Sequence, residues 1–199
     1  VVGCSLARTR FEQGDLDECR KLLTEFLPQL NDETALPQFQ VKANAWDYDL
    51  QRRTDDAEAI GESRRRLIES VVHLLIADTA PEFLRFRHFL VVESQNMLTK
   101  DETGEMLSAV GANDQVPLWH IHMLAGNWFH AVAWDARGEG TAGSVTEAGW
   151  QTFTENIKRS AAHFMRAWHL HPEHPEAATA LIRIAMVGAD ADVVDSGVR

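Results

Sequence analysis

The sequence predicts an all-α protein built of stacked antiparallel helix pairs, and three observations carry that reading. Apolar residues recur at spacings of three and four along most of the chain. No segment shows the apolar–polar alternation that a half-buried strand requires. Helix punctuation is frequent: capping boxes, prolines in first turns, and glycine or proline after helix ends.

Taken in order, two early helices meet around Gln13-Gly14-Asp15, with Leu6, Phe11, Leu16, Leu22, Leu23 and Phe26 as their apolar stripe and Pro28 near the second helix's end. Leu36 to Leu50 is a third helix around Phe39 and Trp46. Asp55 to Ala77 is a fourth, carrying Ile60, Leu67, Ile68, Val71, Leu74 and Leu75. Thr79-Ala80-Pro81-Glu82 restarts the chain as a capping box with proline in the first turn, opening a helix to about Met97. Thr99 and Glu102 cap a short helix ending near Gly111, and 111–117 is the candidate hinge. A strongly apolar helix runs from Leu118 to Ala136. Ser144 and Glu147 cap a long one from about Val145 to Leu170, and Pro172 and Pro175 separate it from a last helix over Ala177 to Val187. The acidic stretch from Asp190 is expected to fray. The organisation read from this is N-terminal hairpins over 1–110, a C-terminal part over 111–188 continuing the same array, and a tail over 189–199.

Composition narrows the function classes. The chain has 199 residues, 45% of them hydrophobic, enough for a substantial core. Its formal net charge of −11 repels a phosphate backbone, which argues against nucleic acid and favours basic or neutral protein segments. Arg52, Arg53, Arg64, Arg65 and Arg66 form the one basic cluster, interleaved with Asp55, Asp56, Glu58 and Glu62, a pattern that gives ion pairs along a solvated helix face. Cys4 and Cys19 have neither the number nor the spacing of a disulfide framework, so buried free thiols in a cytoplasmic setting are expected. Val1-Val2-Gly3-Cys4 offers the alternative of a lipidated bacterial cysteine, although no basic and apolar signal region precedes it. The longest apolar run, Val71 to Ala77 interrupted by His73, is too short to span a bilayer.

A tetratricopeptide (TPR) repeat is a helix pair of about 34 residues with small residues where the helices cross and a proline after the second. Leu6, Ala7, Gly14, Asp15 and Cys19 fit part of that pattern at the N-terminus. Ala131, Trp134 and Gly138 fit the first helix of a late pair, and Phe164, Ala167, Leu170 and Pro172 its second. Aligning the halves leaves an insertion of about 17 residues over the standard repeat, Glu139 to Thr154. The fold class is accordingly an all-α, TPR-like α-α superhelix, a right-handed array of roughly eight or nine helices with an insertion in the late pair.

The residues Ala133-Trp134, Ala136-Arg137-Gly138, Gly140, Ala142, Val145-Thr146-Glu147, Gly149-Trp150, Phe153, Ala167, Leu170 and Pro172 form a distinctive motif. Over roughly Trp119 to Met186 the chain resembles a bacterial family of TPR-like domains of unknown function. The resemblance implies a helical TPR-like fold and further helix pairs after Met186, and it brings no catalytic residues.

The candidate chemistry is sparse. Gly138-Glu139-Gly140-Thr141-Ala142-Gly143 matches G-x-G-x-x-G, but a dinucleotide site needs a strand before it, and Glu139 puts negative charge where phosphate would lie. A glycine-rich turn is the better reading, with Arg137 pairing Glu139 or Glu147. His169, His171 and His174 are the alternative metal ligands. Only the last two have the i, i+3 spacing that lets helical side chains converge, and the prolines put them at a helix end and turn, while His169 and His171 also suit the negative end of the helix dipole. Trp119, Met123, Gly126, His130 and Trp134 share one helix face. Gly126 lets a neighbour's backbone approach closely, and His130 reads as a core histidine between tryptophans rather than as a base. No nucleophile elbow and no His-Glu-x-x-His run occur.

The functional expectation is therefore a protein- or peptide-binding scaffold of TPR type with no catalysis and no cofactor of its own. First helices line the groove in such stacks, which nominates Trp128 and Asp135 late in the chain and Arg8 and Glu12 early, with Arg137 and the Gly138 to Gly149 insertion as one wall. The alternative is an enzyme or metal-binding protein using the late histidines, Arg137 and the glycine-rich loop.

Overall fold

The computed structural model describes residues 2–30, 35–77, 81, 84–87 and 98–186, with the side chains at 2–5 and 8 excepted. Every regular element among them is helical, as the spacing predicts. The elements are α1 (Val2–Glu12), α2 (Leu16–Leu30), α3 (Pro37–Gln51), α4 (Ala57–Ile76), α5 (Lys100–Gly111), α6 (Leu118–Arg137), a 3-10 turn at Ala142–Ser144, α7 (Glu147–Leu170) and α8 (Pro175–Met186). Leu84 to Arg87 is helical too, but most of the helix expected from Thr79 to Met97 lies outside the described residues, as do Val187 and the tail. No helix among the described residues is long and apolar enough to cross a membrane.

The chain forms two compact units, Val1–Thr99 and Lys100–Arg199. The hinge placed at 111–117 from sequence thus falls inside the second unit, between α5 and α6.

In the first unit, α1 and α2 turn at Gly14, whose φ of 79° suits a residue without a Cβ. The Asp15 carboxylate then accepts from the Glu18 N–H at 3.2 Å, capping α2. Ala7, Cys19, Leu22, Leu23, Leu27 and Leu50 make one buried cluster, with Phe11, Leu16, Phe26 and Trp46 packed against it. Cys19 is a buried free thiol, and burial pushes its pKa up, so it is protonated and inert. Helix α3 opens with Pro37 in its first turn, and α4 opens on Asp56, whose carboxylate accepts from Ala59 N–H at 3.0 Å. Gln40 faces His73 while Asp47 faces Arg66, so residue numbers rise on one helix as they fall on the other and the pair is antiparallel.

The same test makes α6 and α7 an antiparallel pair: His122 meets His163, Gly126 meets Ser160, and Trp134 meets Phe153. Gly126 is required here. A Cβ at that position would lie 2.6 Å from the Phe164 ring, and the Ser160 hydroxyl donates to the Gly126 carbonyl at 2.7 Å. The close neighbour is therefore an aromatic ring plus a hydroxyl rather than a bare backbone. Gly138, at φ 71°, terminates α6.

The cap of α7 differs from expectation. Thr146, not Ser144, accepts from the Gly149 N–H at 3.0 Å, while Ser144 sits in the 3-10 turn and donates to Thr141 O. The extra turn between the glycines and the helix moves the start of α7 on by two residues, which puts Thr146 in the extended cap position.

Candidate functional site

Buried polar side chains are expensive in a helix–helix interface unless they are hydrogen-bonded, so their concentration marks a place where the chain departs from plain packing. In the first unit all of those described except Arg85 fall on α3 and α4. Gln40, Asn44 and Asp47 lie at successive turns of α3 and are 4%, 2% and 5% exposed. Arg66, Ser70 and His73 repeat that spacing on α4. Between the two stripes opens a cleft of about 400 Å³ lined by Gln40, Asn44, Arg65, Arg66, Glu69, Ser70 and His73.

The cleft's electrostatics are set by ion pairs. Arg66 reaches across to Asp47 at 2.7 Å and along its own helix to Glu62 at 3.1 Å. Arg65 sits between Glu62 at 2.8 Å and Glu69 at 2.5 Å. Hydrogen bonding from Arg65 holds the Glu62 carboxyl below the usual carboxylate range, so both arginines stay neutralised at pH 7. Arg52 and Arg53 pair with Asp49 in α3. The basic cluster is thus an ion-paired surface: Glu62, named from the spacing, takes Arg65 and Arg66, and Asp47, Asp49 and Glu69 are further partners that the spacing does not single out.

Within the cleft Gln40 Oε1 and His73 Nδ1 are 2.9 Å apart, and Ser70 Oγ donates to Leu67 O at 2.8 Å. Arg66 Nε is buried with no hydrogen-bond partner. The lining therefore presents neutral amides, a hydroxyl and an imidazole beside paired arginine and glutamate side chains in a half-open, charge-balanced slot. Such a set can bind groups that both donate and accept, as a peptide backbone does.

The residues nominated from sequence lie elsewhere. Trp128 donates its indole N–H to Lys100 O at 3.1 Å, and its ring lies 3.3 Å from the position of a Cβ on Gly104. Asp135 is ion-paired with Lys100. Both positions are engaged by α5, which packs on α6. Arg137 does not pair with Glu139 or Glu147. It donates to the carbonyls of Gly138 and Gly140 at 3.1 and 3.3 Å, and its guanidinium lies over the rings of Trp134 and Trp150. It closes the glycine loop through backbone carbonyls rather than through a carboxylate. Glu12 is exposed at the end of α1, and the Arg8 side chain lies outside the described residues.

The second polar cluster is at the turn between α7 and α8. His171 Nδ1 is 2.9 Å from Glu173 Oε1, and the His171 and His174 rings stack at 5.1 Å with 15° between their planes. One ligand atom each from His171, Glu173 and His174 lies within 4.8 Å of the others. Trp119 meets both rings edge-on, at 6.4 and 5.0 Å. His169 is exposed and stands apart from this set. The G-x-G-x-x-G run follows helix α6, not a strand. His130 Nε2 accepts from Trp134 Nε1 at 3.0 Å, so it is a hydrogen-bonded, half-buried histidine rather than one fully within the core.

The cleft residues carried only a weak sequence signal. Gln40, Asn44 and Asp47 fall at i, i+4 and i+7, a polar stripe through a helix otherwise read by Phe39 and Trp46. It becomes informative only when set against the matching stripe on α4.

No family model matches the chain, and no curated protein or solved structure matches it either.

Proposed function

We propose that this chain is a protein- or peptide-binding module, a TPR-like array of stacked helix pairs without catalysis of its own, and that the α3–α4 cleft takes an extended polar peptide segment. The observation that supports this reading is the cleft's buried lining of Gln40, Asn44 and Ser70. Gln40 and Ser70 are already bonded to His73 and to Leu67 O, and a ligand in the cleft would extend this polar seam rather than fill empty hydrogen-bonding positions.

Side-chain amides offer a donor and an acceptor side by side, which matches the N–H and C=O of an extended strand. The cleft's size lies within the range of about 300–1,000 Å³ typical of ligand sites, and its mixed lining disfavours a purely apolar ligand. The chain's net charge of −11 attracts basic or neutral segments over acidic ones.

Panning a random-peptide display library on the full chain tests this. Recovered peptides are expected to bind wild type and to lose at least about tenfold in affinity for His73→Ala and Glu69→Ala, both exposed rim positions, with Trp128→Phe as an unaffected control. Peptides that bind all these variants equally, or no enrichment at all, would contradict the assignment.

A further inference from the structure

We propose that the turn joining α7 to α8 is a binding site for a divalent transition metal ion, ligated by His171, Glu173 and His174. The site lies in the second unit and rests on observations independent of the cleft.

Three donors of the right chemistry already lie close together. Tetrahedral zinc, bound at about 2.0–2.2 Å by nitrogen and oxygen, places its ligand atoms roughly 3.4 Å apart. The three atoms here lie within 4.8 Å of one another, and His171 Nδ1 and Glu173 Oε1 are at 2.9 Å. Closing the rest takes a shift of about 1 Å and a turn of the stacked imidazoles, movements open to exposed or half-buried side chains.

The backbone holds that arrangement. His171 N–H donates to Ala167 O at 3.1 Å, finishing α7, and His174 N–H donates to His171 O at 3.1 Å, forming a tight turn. Pro172 and Pro175 fix φ on either side of Glu173-His174, so the three side chains are presented by a stiff loop rather than by a flexible one. Trp119, almost fully buried, backs the two imidazoles with its ring edge and limits their orientations. Stiff presentation lowers the entropy lost on ligation.

The donor set also selects the ion. Two imidazoles and one carboxylate suit zinc, cobalt, nickel or copper and disfavour magnesium and calcium, which prefer all-oxygen shells. Three protein ligands leave a fourth position to water or to a partner's side chain on the exposed side of the loop.

The test is calorimetric titration of chelator-treated full-length protein with zinc chloride and, separately, nickel chloride. One ion per chain is expected, with affinity reduced at least about tenfold by Glu173→Gln and by His171→Ala. Glu173 is exposed, so its variant keeps the fold if His171→Ala does not. Nickel or copper is expected to quench tryptophan fluorescence in wild type, and Trp119→Phe to reduce that quench while leaving the stoichiometry at one. Absence of saturable binding overturns the proposal. So does binding that survives Glu173→Gln and His171→Ala, or that is abolished by His163→Gln, which would place the ion at the other histidine pair.

Discussion

The Nδ1 atoms of His122 and His163 lie 3.0 Å apart across the α6–α7 pair. One ring must donate and the other accept, so the contact holds only while at least one is neutral. Phe129 stacks on His163 at 5.5 Å, and Arg166 adds positive charge to a site that already disfavours protons.

That pair makes the second unit's stability depend on pH. Burial first, then His122 and Arg166, push the His163 pKa down to about 4, and burial lowers His122 as well. An unfolded His163 takes its proton near 6.5, whereas the folded one resists until about 4. Stability present above 6.5 is therefore lost as pH falls from 6.5 toward 4. Urea midpoints measured from pH 7.5 to 4.5 are expected to drop less for His163→Gln than for wild type. Parallel profiles would contradict the coupling.

Gly126→Ala is expected to destabilise the α6–α7 pair despite its better helix propensity. Its Cβ would meet the fully buried Phe164 ring at 2.6 Å. Overpacking of this kind costs about 1–3 kcal/mol, against about 1 kcal/mol gained from replacing a helical glycine. Gly61→Ala, on the exposed side of α4 with nothing within 4 Å, is the control and should stabilise by about 0.5–1 kcal/mol. Chemical denaturation of both variants checks the opposite signs.

Trp128→Ala should loosen α5 from α6, since the indole both donates to Lys100 O and fills the space over Gly104. A loss of about 2–4 kcal/mol is expected. Asp135→Ala removes only an exposed ion pair with Lys100 and should cost about 1 kcal/mol or less. Equal losses would mean that the salt bridge, not the indole, secures α5.

Helix positions were legible because they depend on local signals. Pro37, Asp56, Gly14 and Gly138 each act within one turn, and the three-and-four spacing of α6 and α7 follows from the face each must bury. The cap of α7 was not legible to the residue, because Ser144 and Thr146 are both competent and the 3-10 turn decides between them. The cleft was hidden for a different reason. Gln40 and Asn44 look like ordinary surface residues until α4 is laid antiparallel against them, and Arg66 finds Asp47 nineteen positions away. The histidine turn was half visible: spacing and prolines marked His171 and His174, while Glu173 is recruited only by the geometry of the turn.

The most direct test of the peptide-binding reading is nuclear magnetic resonance of the side-chain amides of Gln40 and Asn44 during titration with a library-selected peptide. Those resonances, with the backbone amides of Ser70 and His73, are expected to shift in a saturable way while Trp128 and Gly138 stay in place. Saturable shifts confined to residues outside the α3–α4 cleft, with Gln40 and Asn44 unmoved, would contradict it.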